Sequence, residues 1–235
     1  MTNAIRSGLG KDDMVFNVYW FHGMAMDPAH LTIILAGVTD FFRKAGSPIQ
    51  FKLAANQLIE ETDLSPKVIV GLQEKHCVLE QGAMNIFSAH GYGGGFSGAP
   101  DPKAAIHIGS VVAWIGDASL KVAQETMAHE VGHWLGLAHT HKGGCFPGDN
   151  VSDTKPIEYN EDGSIAPNSC GFDGNTRDNF MDYGYTAEYP TFTPGQAYRM
   201  MVFAYFRLFG ELPGGLSLTR KSIQSVSISI PKTSL

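Results

Sequence analysis

Apolar and polar residues alternate from Val15 to Phe21 (VFNVYWF), in a stretch rich in β-branched and aromatic side chains. That spacing predicts a strand. Asp27-Pro28 then offers an N-cap followed by proline at the first helical position. Leu31, Ile34, Leu35, Val38 and Phe42 recur at helical intervals behind it, which predicts a helix to about Lys44 with one buried face. Further strands are predicted at Gln50–Ala54, Met84–Ser88 and Ala105–Val112, and a helix from about Ser119 to Leu135. Strand, helix, strand, strand opens an α/β fold of α+β character, a twisted and mostly parallel sheet with the later helix lying against it. After Gly136 the pattern is irregular for roughly fifty residues, unusual in a compact domain unless the segment is functional or stapled. Thr193-Pro194-Gly195-Gln196 is a capping box with proline at N1, and it predicts a closing helix through about Phe206. The chain reads as one domain, residues 1–235. A lobe of about 14–136 precedes a second of 137–210, and the tail of 211–235 alternates like a strand at Ser225–Ile230 but has no assignable role.

Composition narrows the function classes. The 235 residues carry a net charge of −6 without any Lys/Arg cluster, which argues against a nucleic-acid partner. No apolar run reaches membrane-spanning length, so no membrane partner is expected. Charged residues make up only 17% and glycine is abundant, as in a loop-heavy protein. Met1 to Asp13 is polar and lacks the apolar core of a signal peptide. Export would then rely on a signal or pro-segment that this chain does not show, or on another route.

The chemistry concentrates in His129-Glu130-Val131-Gly132-His133-Trp134-Leu135-Gly136-Leu137-Ala138-His139. Residues four apart on a helix share a face, so His129 and His133 can offer two imidazoles to one ion. Glu130 lies about 100° around the helix from His129 and flanks the ion's open position instead of ligating it. Gly136 suits a left-handed helix stop, after which the chain can turn and return His139 as a third nitrogen. Three protein ligands and one water make up a catalytic zinc (Zn2+) site; structural sites fill all four positions, usually with cysteine. Such a metal generates a hydroxide-like nucleophile near neutral pH, and Glu130 can act as base and then acid. The glycine-rich stretch His90–Pro100 is not followed by GK[ST], which removes a phosphate-loop reading. His22, His30, His76, His90, His107 and His141 lack metal spacing and are expected to be structural or exposed.

HExxHxxGxxH is the signature of the metzincin zinc endopeptidases. HEVGHWLGLAHTHKGGC, followed by GDNVSDT (Gly148 to Thr154), NFMDY (Asn179 to Tyr183) and FTPGQAYRM (Phe192 to Met200), resembles the pappalysin family of that clan. That family includes the ulilysin-like and fungal extracellular metalloproteases. The specific motifs cover Thr126 to Met200.

This resemblance implies a secreted metalloendopeptidase, acting as a monomer on polypeptide substrates. It implies a Cys145–Cys170 disulfide across the loop after the zinc motif, while Cys77 is left as a small buried hydrophobe. A second bridge usual in the family is missing, because Tyr183 to Thr193 contains no cysteine. Met181 corresponds to the Met-turn, an apolar floor beneath the metal. Tyr183 corresponds to a tyrosine that donates a hydrogen bond in the transition state or binds as a distant fifth ligand. Asp149, Asp153 and Thr154 resemble a calcium (Ca2+) site of the family. Gly94 to Pro100, with Gly94 and Phe96 as its contacts, corresponds to the edge strand on which extended substrate is laid. Glu188 is the only carboxylate in the wall segment after the Met-turn and would favour a basic P1′ residue. Two alternatives stand beside the general protease: a toxin or effector with one narrow target, and a silent zinc-containing binding module. The usual mark of the latter, replacement of the Glu in HExxH, is absent here.

Overall fold

The alternating first segment forms β1, Met14–His22, an inner strand of a five-stranded sheet. The computed structural model describes residues 14–97, 110–160, 166, 169–171, 178–183, 188 and 190–210. β2 (Ile49–Leu58) and β3 (Ala83–Ala89) flank β1, both parallel to it. β5 (Ser110–Trp114) runs parallel to β3, and the short β4 (Gly95–Ser97) closes the order β2-β1-β3-β5-β4 as an antiparallel edge. The sheet is therefore mostly parallel, as predicted. β2 runs to Leu58, past the predicted end at Ala54, because its last residues are exposed and carry no apolar alternation. The strand predicted at 105–112 lies largely outside the described residues; its described part starts at Ser110 and continues to Trp114. The tail 211–235, with the alternation at 225–230, also lies outside them.

Both faces of the sheet are covered. β3 buries Met84 and Ile86 on one side and Phe87 and Ala89 on the other, which is why its sequence is apolar throughout. The larger core lies under three helices: α1 (Pro28–Lys44), α3 (Leu120–Trp134) and α4 (Pro194–Phe209). α1 starts where expected, the Asp27 side chain accepting from the Ala29 amide at 2.9 Å, and it buries the predicted Leu31, Ile34, Leu35, Val38 and Phe42. The opposite face is covered by α2 (Pro66–His76), a helix that hydrophobic periodicity does not predict. Only its Ile69 and Leu72 are buried, so its apolar stripe is too thin to register. Cys77 ends this helix half-buried, and burial pushes its thiol up to about 11, so it is an inert packing group. No described helix is long and apolar enough to cross a membrane.

Candidate metal centre and cleft

Ser119 caps α3, accepting from the Val122 amide, and the helix carries His129 and His133 one turn apart. It stops at Gly136, whose φ is +87° and whose missing Cβ makes room for the Phe203 ring of α4. The Leu137 amide returns to the Gly132 carbonyl at 2.9 Å, closing the last turn, and the chain swings His139 back. The three Nε2 atoms then lie 2.9, 3.1 and 3.2 Å from one another. His129 Nδ1 donates to the Phe180 carbonyl at 2.6 Å and His133 Nδ1 to the Leu137 carbonyl at 2.9 Å. A carbonyl can only accept, so the proton sits on Nδ1 and each of these Nε2 atoms presents a lone pair. Burial and the neighbouring imidazoles push His133 down to about 4 and His139 down to about 3, with the Lys142 charge adding to both; burial also lowers His129. Neutral imidazoles aimed at a common point repel one another unless a cation stands between them. This donor set fits one ion bound at about 2.0–2.1 Å per nitrogen.

The segment behind the helix fixes this triad. Asn179 Oδ1 accepts from the Met181 amide at 2.9 Å and from Gln196 Nε2 at 3.0 Å, tying the turn at Asn179–Tyr183 to the cap of α4. Met181 is fully buried against Gly132, where a Cβ would stand 2.7 Å from its sulfur. Phe180, whose carbonyl orients His129, is held between Phe41 and Phe192 with ring centroids 4.8 and 4.7 Å away. Aromatic packing thus holds a turn that no described disulfide ties down. Thr140 donates to Asp182, joining the same turn to the third ligand's loop. Two arginines that sequence reading missed also hold the end of α3. Arg199 Nε donates to the Gly136 carbonyl at 2.7 Å and Arg207 Nε to the Trp134 carbonyl at 3.2 Å, with the Arg207 guanidinium 3.7 Å over the Trp134 ring. They satisfy carbonyls that a helix end leaves without intrahelical partners. The available signal was their spacing of eight, two turns apart on the apolar face of α4.

Beside the triad opens a cleft of about 880 Å³. Gly94 to Ser97 of β4 and its approach form one wall, and Lys142 to Asn150 contributes to another. Glu130 faces the cleft at 4% exposure, and its Oε2 has no hydrogen-bond partner among the described residues. Burial raises its carboxyl to about 7, against the opposing hydrogen bond from Ser97. Ser97 Oγ also donates to the Glu130 backbone carbonyl at 2.5 Å, fastening the edge strand to the helix. Gly94 and Phe96, expected on this strand, both line the cleft, while residues 98–100 of the expected stretch lie outside the described residues.

The Lys142–Asn150 wall follows three residues after His139 and is stapled by Cys145–Cys170, with Cα atoms 5.1 Å apart. Asp149 is buried; its Oδ1 accepts from Thr154 at 2.7 Å and from the Val151 amide at 3.0 Å, while Oδ2 has no partner among the described residues. Burial raises it to about 6. Asp153 takes a different place. Its two oxygens accept from Thr193 Oγ1 at 2.7 Å and the Gly195 amide at 2.9 Å, so it caps the start of α4. Tyr183 is half-exposed, its ring 4.2 Å from that of His139 and 4.8 Å from that of His141. His141 stacks on His139 at 5.0 Å and 10°. The remaining described histidines join no metal-capable group, and His107 lies outside the described residues. Glu188 is exposed and does not line the cleft; residues 184–187 and 189 beside it are outside the described residues.

Residues 98–204 match the peptidase M43 family profile, described as pregnancy-associated plasma protein-A. An extracellular metalloprotease of Pyricularia oryzae is 44% identical over 90 residues, covering 35% of this chain and 31% of that protein. One from Colletotrichum graminicola is 32% identical over 141 residues, covering 53% and 50%. The chain thus spans between about a third and a half of the length of these relatives. Among solved structures, myroilysin aligns with a TM-score of 0.38 and 13% identity, over 86% of this chain and 97% of that one.

Proposed function

We infer, from the match of residues 98–204 to the peptidase M43 profile and the likeness to fungal extracellular metalloproteases, that the chain belongs to the pappalysin family and is a zinc-dependent endopeptidase acting on polypeptides outside the cell. The observation that carries this reading is the convergence of three Nε2 lone pairs within 3.2 Å beside a buried, unpartnered carboxylate oxygen. His129, His133 and His139 would hold the ion, and three imidazoles suit zinc. When bound, zinc supplies Lewis acidity and a water whose pKa falls toward ~7. Glu130 takes the attacking water's proton on its carboxylate and returns it to the departing amine. Met181 floors the site, and the Tyr183 hydroxyl donates to the oxyanion that develops on the cleaved carbonyl. The free edge of β4 gives backbone groups on which an extended substrate can be laid as a further strand, with Gly94 and Phe96 beneath it.

Calcium belongs to this reading at Asp149 and Thr154. A buried carboxylate oxygen without a partner, next to a hydroxyl and the Val151 carbonyl, is an environment a hard cation would satisfy. Asp153 serves α4 instead. Removing calcium with a calcium-selective chelator should lower the Tm by several degrees while zinc content stays constant; an unchanged Tm would reduce Asp149 to a loop cap.

The test of the main reading is incubation of the zinc-loaded protein with casein, with and without 1,10-phenanthroline. Cleavage that the chelator abolishes and added zinc restores is expected. Intact casein, together with an untouched random peptide library, would overturn it.

A further inference from the structure

The charges lining the cleft are unevenly placed. Glu125, Glu130, Asp149, Asp182 and Arg199 line it too, but each of these side chains is buried. Glu125 is bound by Lys121 at 2.6 Å, Asp182 by Thr140, Asp149 by Thr154, and Arg199 by the Gly136 carbonyl. Lys142 is the exception. It is exposed, it lines the same cleft, and among the described residues its ammonium has no hydrogen-bonding or ion-pair partner. Its backbone is anchored: the Lys142 amide donates to the carbonyl of His139, the third ligand, at 3.0 Å, and the Gly144 amide follows to His141 at 3.2 Å. Gly143, at φ +89°, lies so close to the Gly148 carbonyl that a Cβ would overlap it. Lys142 lines the same cleft as His133 and His139.

Resting on the proteolytic reading above, the geometry points to Lys142 as a specificity-determining residue that pairs with a carboxylate carried by the substrate close to the cleaved bond, so that acidic peptides are preferred. A flexible stem carrying a compact point charge needs no fixed fork geometry, which suits a side-chain Asp or Glu presented by an extended chain. Once a peptide covers the pair, the exclusion of water strengthens it beyond an ordinary surface contact. Glu188, the residue that would have favoured a basic side chain, stands outside the cleft lining. The described lining therefore offers a substrate one accessible charge, and it is positive.

The test uses peptides identical except for Glu, Gln or Lys at each position flanking the cleaved bond. Zinc-loaded enzyme should favour Glu over Gln at one position by about tenfold in kcat/KM, carried by KM, and about 0.5 M salt should erase most of the difference. Lys142→Met should bring Glu and Gln to parity, and Lys142→Glu should turn the preference toward Lys. A flat or basic-preferring profile in the unsubstituted enzyme would overturn the assignment. So would an unchanged ranking in Lys142→Glu, or an equal kcat loss on every peptide in Lys142→Met. Binding of the Glu and Gln peptides to zinc-loaded protein carrying Glu130→Gln, read by fluorescence anisotropy, separates this inference from the activity itself. Equal binding overturns the role of Lys142. Discrimination in binding, with no cleavage by the unsubstituted protein, upholds Lys142 and overturns the proteolytic reading.

Discussion

Glu130→Gln is expected to retain one zinc per chain and to lose about 10³-fold in kcat, roughly 4 kcal/mol of transition-state stabilisation. The amide matches the carboxylate in shape, so the cleft and the β4 wall need not move. It cannot accept the water's proton, however, and so removes the base while leaving the three ligands untouched. The same substitution should behave differently in stability. The Glu130 carboxyl ionises at about 4.5 when unfolded, but burial raises it to about 7 in the fold. In the metal-free protein the fold therefore holds a proton that the unfolded chain has released, and stability falls as pH rises through that window. Metal-free Glu130→Gln should consequently melt no lower than the metal-free parent at pH 7.5, and its Tm should respond less to pH between 4.5 and 7. Zinc analysis, single-turnover peptide cleavage and calorimetry measure all three effects. Comparable turnover at equal metal content would refute the role given to Glu130, whereas loss of zinc would make it a structural support of the ligands.

How much of this arrangement could be read from the chain depends on the range over which each feature is determined. α1 was legible because its stripe from Leu31 to Phe42, its Asp27 cap and Pro28 are all local. The triad was legible for the same reason: helix pitch places His129 and His133 together, and a single glycine reverses the chain toward His139. The Cys145–Cys170 bridge came only through resemblance, since three cysteines by themselves fix no pairing. Features joining distant segments were not readable. Asp153, expected beside an ion, reaches forty residues ahead to cap α4 at Thr193. Arg199 and Arg207 fall on the apolar face of α4, which marks them as buried, but nothing local names the carbonyls at the end of α3 that they bind. Lys142 carries no sequence signal of its own, and only the fold places it in the cleft wall. In each case the sequence contains the residue, but its partner is chosen by tertiary packing.

Gly95→Ala is the second substitution expected to have a large effect, and it acts on Glu130 without touching it chemically. Gly95 lies in β4 with backbone that most residues can adopt, so conformational freedom does not explain a glycine there. Space does. A Cβ would stand 2.8 Å from Glu130 Cγ and 3.0 Å from its Cδ, and would overlap the Val112 carbonyl of β5. The strand and the helix are already fastened to each other by Ser97 on the Glu130 carbonyl, so neither can retreat freely. The methyl must push the carboxylate from its place or open the β4–β5 pairing at Gly95↔Ala113. Overpacking of this kind costs about 1–3 kcal/mol in stability. A displacement near 1 Å in a catalytic group can lower turnover by about 10²-fold. Zinc should stay bound, because His129 and His133 are held from the other side by the Phe180 and Leu137 carbonyls, which the substitution does not touch. The expected result is thus a zinc-replete, modestly destabilised protein with kcat reduced about 100-fold. Unchanged turnover would mean that Glu130 does not work from the position it occupies against β4, and that another conformation of the side chain carries the proton.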